Sequence, residues 1–324
     1  MTPIEHQKNQ KNHQVLVVGS LNIDLSVSTQ RIPQGGETVT GSPLTTSPGG
    51  KSANQAVAAA SMGADVTLIG SIGDDTHGRF VADAVASRGV DTSHLVIDPT
   101  QPTGSALITV DENAENTIVV SPGANANLQP ENIPEEILAH ADIISLTLEI
   151  PPDTVARVAR RGHQSGATVV LNLSPYAEVP QALLQDIGIL LINEHELAAL
   201  IGEPTSDKDW KMIRGALQDR GIRTTVVTLG PQGCVILENA AIKEIPGVNI
   251  EAIDTTGSGD GFAGALLAAL SRGDTLHSAA KLANTVGAYT ATRRGAQSSY
   301  PTTSELQRWR DDASPKELLP QARP

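Results

Sequence analysis

The chain has 324 residues and a formal net charge of −13, long enough for one large α/β domain or two smaller ones. That charge argues against nucleic acid or an anionic membrane surface as a general partner. Cys234 is the single cysteine, which excludes a disulfide framework and a thiolate metal site. Aromatic residues make up only 2%, so the core must come from Ala, Val, Leu and Ile.

Residues 1–13 read as a polar, disordered tail with no apolar stretch of the kind that opens a signal peptide. No apolar run approaches the ~18 residues of a membrane helix, so a soluble, cytoplasmic protein is expected. Val15–Val18 is a short β-branched run ending at Gly19, the first buried strand. Gly19–Asp24 then lies beyond that strand's carboxyl end, where open α/β sheets bind ligands. Asn22 and Asp24 are two apart and share one face if extended, a pair suited to vicinal hydroxyls. A plain polar loop is the alternative.

Residues 37–45 read as a strand without a following helix. Pro48–Asn54 resembles a P-loop at its Gly50-Lys51-Ser52 end, but the required first glycine is Thr45. Gly49 and Gly50 still permit close backbone approach, and Lys51 and Asn54 place donors near a helix start. The competing reading is a helix-start turn with a solvated lysine. Ala53–Met62 is helical, Val66–Ile69 a strand, and Gly78–Arg88 a helix closed by Gly89. Gly104–Val110 and Thr117–Ser121 flank a hairpin-like turn. Together, residues 37–45 and 104–121 are expected to leave the main sheet as a small β lid.

The rhythm then resumes. Ile143–Leu148 is a strand, with Glu149 an acceptor at its end. Pro152–Arg161 is a helix ended by Gly162. Val169–Asn172 and Ile189–Ile192 are strands. Asn193 and Glu196 open a short helix stopped by Gly202; they are oxygen donors suited to Mg²⁺ and its waters, or else a simple N-cap. Trp210–Arg220 is a helix and Thr224–Leu229 a strand, followed by a Thr228–Gly233 turn offering backbone amides. Alternating βαβα with buried strands indicates an α/β fold, a mostly parallel central sheet flanked by helices. The α/β domain is expected over 14–311, and 312–324 as a flexible tail.

The most informative run is Asp254-Thr-Thr-Gly-Ser-Gly-Asp260, feeding the apolar helix that continues to Leu270. Amides of Gly257, Ser258 and Gly259 at a helix N-terminus would favour a phosphate or charge developing in phosphoryl transfer. A carboxylate there repels phosphate, so Asp260 needs a reason: a general base taking a proton from an attacking hydroxyl, or an N-cap. Gly259-x-Gly261-x-x-Gly264 matches a dinucleotide fingerprint literally, but it lies late in the chain with Asp260 where pyrophosphate would sit, so that reading fails.

Taken together, Gly49-Gly50-Lys51-x-Ala53-Asn54 and Asp254-Thr-Thr-Gly-Ser-Gly-Asp260-Gly-Phe-x-Gly264 resemble the two signatures of the PfkB group of carbohydrate kinases. The resemblance runs from about Val15 to about Pro301. It implies ATP-dependent phosphorylation of a sugar, D-ribose at its 5-hydroxyl for the hydroxyl-binding set present here. It also implies a β lid over the sugar, and a homodimer formed through that lid. Carried over by position, Asn22, Asp24, Gly50, Lys51, Asn54 and Glu149 would hold sugar hydroxyls, with Asp260 as base. Gly257, Ser258, Gly259 and the Asp260 amide would form the anion hole. Asn193 and Glu196 would tune Mg²⁺ and phosphate; Thr228, Gly230, Gly233 and Asn284 would meet the nucleotide. Asp254, Thr256, Thr290, Arg293, Gly295 and Ser299 would surround a K⁺ ion. Ser258 departs from the alanine common in relatives, without removing an amide. A deoxyribose, tagatose or nucleoside kinase could keep most of these positions. A non-catalytic sugar-binding regulator would need neither the base nor the Mg²⁺ element, and a nicotinamide oxidoreductase is disfavoured by the failed fingerprint.

Overall fold

The strands of the main sheet are apolar on both faces because both faces are covered. Val15 and Val17 point into one core, Leu16 and Val18 into the other, and all four are buried. This is why the run reads as continuous rather than alternating. The computed structural model describes residues 14–113, 115–205 and 209–312. The expected tail 1–13 and residues 313–324 lie outside them.

Among the described residues, eight strands form the main sheet, in the order Ile242–Pro246, Gly233–Glu238, Thr224–Thr228, Ile189–Asn193, Thr168–Asn172, Ile143–Leu146, Gln14–Val18 and Asp65–Ile69. The last six are mutually parallel; the first two form an antiparallel extension at one edge. One face is covered by the helices Lys51–Ser61, Thr76–Ala86, Ser258–Ser271 and Leu276–Ala291. Helices Pro152–Ser165, Gln181–Gln185, Glu194–Ile201 and Trp210–Asp219 cover the other.

A separate four-stranded sheet runs in the order Thr45–Gly49, Asn22–Ser28, Gly104–Val110, Asn116–Ser121. Its strand Asn22–Ser28 pairs parallel with Gly104–Val110 and antiparallel with Thr45–Gly49. The chain therefore leaves the main sheet at Gly19 and enters the small one three residues later.

The structure corrects the sequence reading at several elements. Residues 37–44 contain no strand; the pairing strand starts at Thr45. Gly41 and Pro43 break that stretch, and Gly35 and Gly36 form the turn before it. Asn22 and Asp24 lie on a strand of the small sheet, not on a loop. Gly162 does not end its helix, which runs to Ser165 and closes at Gly166 in the left-handed region. A Cβ at Gly162 would come within 2.5 Å of Ile144 Cδ1, so the glycine permits close helix–sheet packing. The edge hairpin 233–246 and the helices Leu276–Ala291 and Thr303–Asp312 were not anticipated, and Asp312 ends a helix rather than beginning a tail.

The pairing that matters most for the site is between helices Lys51–Ser61 and Ser258–Ser271. At Gly264 a Cβ would lie 2.5 Å from both Ala58 Cβ and Gln55 O. Only glycine facing alanine lets these backbones approach so closely. The approach carries the first turn of one helix onto the first turn of the other.

Candidate active site

Helix Ser258–Ser271 begins at Gly257, which holds φ 73° and provides no side-chain cap. A Cβ there would sit 2.8 Å from Ala296 Cα and from the Tyr300 hydroxyl. Glycine is thus required by both the turn and its surroundings. The Ser258 amide donates to Thr255 O at 3.1 Å and the Gly261 amide to Gly257 O at 2.7 Å. The expectation of three outward amides at 257–259 is therefore trimmed. Among the described residues, the amides of Gly257, Gly259 and Asp260 are the ones without a protein acceptor. They are orphan donors at the positive end of the helix dipole.

Asp260 lies in the first turn of that helix and is buried. Its two carboxylate oxygens accept from separate side-chain amides, Asn54 Nδ2 at 3.0 Å and Gln55 Nε2 at 3.2 Å. Desolvation by burial pushes its carboxyl above the ordinary range; Lys51 and the two amides oppose this, and Glu149 adds to it. An N-cap side chain would turn back onto the helix amides. This one is tied across to a neighbouring helix, so capping does not account for it.

Lys51, Asn193, Glu196, Thr228, Gly257 and Gly259 line one cleft together with Asp260. Asn172 and Ser174 line it too, and sequence reasoning missed both. Asn172 ends a parallel strand, beside Asn193 and Thr228 at the ends of theirs. A polar residue at a strand's carboxyl end was the available signal.

Asn193 and Glu196 form a reciprocal capping box. The Glu196 amide donates to Asn193 Oδ1 at 2.8 Å, and the Asn193 amide to Glu196 Oε2 at 3.0 Å. The N-cap alternative is thus realised, yet both residues still face the cleft. Gly230 and Gly233 sit in the turn between two antiparallel strands. Gly233 has a packing reason of its own, since a Cβ would meet Ile245 O at 2.1 Å. Asn284 donates to Pro246 O at 2.9 Å, joining its helix to the sheet edge outside the cleft.

The remaining carboxylates gather on the side of the small sheet. Asp24 is pushed up to about 7, first by burial and then by the negative charges of Glu149 and Asp260. Glu149 Oε2 accepts from the Ser20 hydroxyl at 2.5 Å and the Lys51 amide at 3.1 Å. Asn22 is buried, with Oδ1 accepting from Asn125 Nδ2 at 2.8 Å. Asn125 also exchanges two hydrogen bonds with the Leu21 backbone, at 3.0 and 3.1 Å. It holds the crossing between the sheets and was invisible in the sequence. Three acids and one lysine thus gather beside the φ 91° turn at Gly50, close enough to shift one another's charge.

Behind the Gly257–Asp260 turn, Asp254 accepts from the Thr256 amide at 2.9 Å and the Gly295 amide at 2.8 Å. Burial alone would raise its carboxyl, but these amides and the Arg294 charge hold it below the usual range. Arg293, by contrast, stacks on Tyr289 at 3.5 Å from the ring centroid and donates to Thr292. The Thr290 hydroxyl is buried without a partner among the described residues, and Ser299 Oγ donates to Ala296 O at 2.6 Å. Asp254, Thr256 and Gly295 are thus directly linked, with Thr290, Arg293 and Ser299 on the flanking backbone.

The pfkB family carbohydrate kinase model matches residues 12–303. The chain belongs to this family and is an ATP-dependent sugar kinase. It is 36% identical over 292 residues to the ribokinase of Haemophilus influenzae, covering 89% of this chain and 95% of that one. The deoxyribokinase of Salmonella typhi is 32% identical over 298 residues, covering 90% and 97%. Among solved structures, the Arabidopsis thaliana ribokinase complexed with ribose and ATP superposes with a TM-score of 0.85 at 28% identity, covering 91% and 97%.

Proposed function

We propose that this chain transfers the γ-phosphoryl group of ATP to the 5-hydroxyl of D-ribose, giving ribose 5-phosphate and ADP. The observation that carries the mechanism is the Asp260 carboxylate, buried at the start of an uncapped helix and held by two amides. Asp260 takes the proton of the attacking hydroxyl. The free amides of Gly257, Gly259 and Asp260, on the turn that contains Ser258, receive the charge that develops on the transferred group. Asn22, Asp24, Gly50, Lys51, Asn54 and Glu149 orient the sugar. Thr228, Gly230, Gly233 and Asn284 border the nucleotide.

Asn193 and Glu196 suit Mg²⁺ held through its waters, because their capping box leaves Glu196 one carboxylate oxygen with no partner among the described residues. When bound, Mg²⁺ neutralises phosphate charge. The loop of Asp254, Thr256, Thr290, Arg293, Gly295 and Ser299 suits a weakly hydrated K⁺, and the unpartnered Thr290 hydroxyl supports a polar ligand nearby. The small sheet acts as a lid on the sugar. Its outer strand exposes Ile118, Val119 and Val120, with Leu107 beside them. An apolar surface on an edge strand supports a homodimer through the lid. Among the described residues no helix is long and apolar enough to cross a membrane, and a cytoplasmic location is proposed with the activity.

The test is ADP release with ribose, 2-deoxyribose, tagatose and nucleosides, each with K⁺ or Na⁺ at constant ionic strength. Ribose should give the highest kcat/KM, and K⁺ should raise it. Preference for deoxyribose would move the assignment to the activity of the Salmonella typhi relative. Indifference to the cation would remove K⁺.

A further inference from the structure

Asp260 is held from both sides by a relay of buried amides that phosphoryl transfer itself does not call for. Gln55 is fully buried and donates from Nε2 to one Asp260 oxygen. Its own Oε1 accepts from the Ser145 hydroxyl at 3.1 Å, on a central strand. That bond fixes the orientation of the Gln55 amide, since only its NH₂ can then face the carboxylate. On the other side, Asn54 Nδ2 donates to the second oxygen, and Asn54 Oδ1 accepts from Gln297 Nε2 at 3.1 Å. Gln297 is also buried, and its backbone carbonyl accepts from Arg88 Nη1 at 2.7 Å. Each arm therefore ends on a group anchored in the scaffold.

We propose that Gln55, oriented by Ser145, and Gln297, acting through Asn54, are positioning residues that aim the Asp260 carboxylate at the sugar hydroxyl. The inference rests on Asp260 being the base. An ionised carboxylate only accepts, and two fixed donors leave each oxygen a lone pair in a set direction. The donors also favour the ionised form against burial. The other groups facing Asp260 are Lys51 from the same helix as Gln55, Glu149 from the loop that follows strand Ile143–Leu146, Asp24 from the small sheet and the Tyr300 hydroxyl, itself near Arg88. None of them supplies a neutral donor to the carboxylate.

Gln55→Met keeps the volume and removes the donor. It should lower kcat roughly ten- to a hundredfold, the scale of one hydrogen bond to a charged group, with the ATP KM changed little. The acidic limb of the kcat–pH profile should move to higher pH, because losing a donor makes the base easier to protonate. Gln297→Met should act in the same direction through Asn54. If Gln55→Met fails to fold by circular dichroism, Ser145→Ala leaves the glutamine in place but frees its amide, and should show a smaller shift of the same sign. Parental kcat and an unmoved acidic limb in the folded variants would overturn the proposal, as would a lower kcat with no movement of the limb. Asp260→Asn is run alongside. Near-parental turnover there would sink the base assignment itself, whereas an inactive Asp260→Asn beside an unaffected Gln55→Met would sink only the relay.

Discussion

Two helices begin at the same cleft and begin in opposite ways. Glu194–Ile201 closes its own start, with Asn193 and Glu196 each satisfying an amide of the other. Ser258–Ser271 starts at a left-handed glycine with no side-chain cap and keeps its orphan amides open. The first helix presents oxygens to the cleft, and the second presents N–H groups. Under the proposed function the site holds both a cation and a polyanion, and each kind of end then has a use. The sequence distinguishes them by a single choice, Asn193 or Gly257 at the N-cap.

The strongest break in that comparison is at the open helix. Asp260→Asn should preserve the fold and most sugar binding while lowering kcat by roughly 10²–10⁴-fold; steady-state kinetics with ribose titration separate the two effects. Retained turnover would reduce Asp260 to a structural acid.

Two glycines of the same turn sharpen the point. Gly257→Ala forces a Cβ into the left-handed region and against Ala296 and Tyr300, costing at least about 1–2 kcal/mol of stability. Gly259→Ala meets nothing within 4 Å and should stabilise the helix by up to ~1 kcal/mol. Its methyl group would nevertheless enter the space beside the open amides. Activity should therefore fall on the order of 10²-fold, the scale of a misplaced reactant, while the melting temperature holds or rises. Full activity in Gly259→Ala would mean that the turn does not receive the phosphoryl group.

At the closed helix the expected effect is smaller and mainly structural. Asn193→Ala should cost about 1 kcal/mol in chemical denaturation through the lost cap. If Asn193 also tunes Mg²⁺, the Mg²⁺ concentration for half-maximal rate should rise; if it moves only stability, its role is confined to the cap.

The smallest effect concerns Asp24. Its folded value near 7 lies above the unfolded one, so the folded state holds the proton more tightly. The resulting stability is full below about pH 4 and is lost as pH rises through 7. Unliganded Asp24→Asn should then melt a few degrees above the parent at pH 8, the gap narrowing below pH 7 and closing only near pH 4. The same variant should bind ribose more weakly with ATP binding nearly unchanged. A gap independent of pH would show that neither burial nor the charges of Glu149 and Asp260 raise Asp24.

The legible parts were those written in local chemistry. The apolar runs at 15–18, 143–148 and 189–192 read as buried strands because they hide many β-branched and leucine side chains over few residues, although the second strand ends at Leu146. Gly50-Lys51 and Gly257–Asp260 announced helix starts of unusual composition, and the paired signatures carried the family resemblance. Residues 37–44 misled because a few apolar and threonine side chains outweighed Gly41 and Pro43, which break the stretch. Gly162 misled because a glycine that relieves packing looks, in one dimension, like a glycine that ends a helix.

By itself, the sequence determined the layered α/β architecture, the two glycine-opened helices and the chemistry of the acids and lysine around them, since each depends on neighbours within a few residues. Only the tertiary structure decided that Gln55 and Asn54 grip the two oxygens of Asp260, that Gln297 and Ser145 orient those amides, and that Arg294 rather than Arg293 lies beside Asp254. These contacts join residues up to 243 positions apart. Their partners are chosen by the close approach of Gly264 to Ala58 and by the register of parallel strands, which no local pattern encodes.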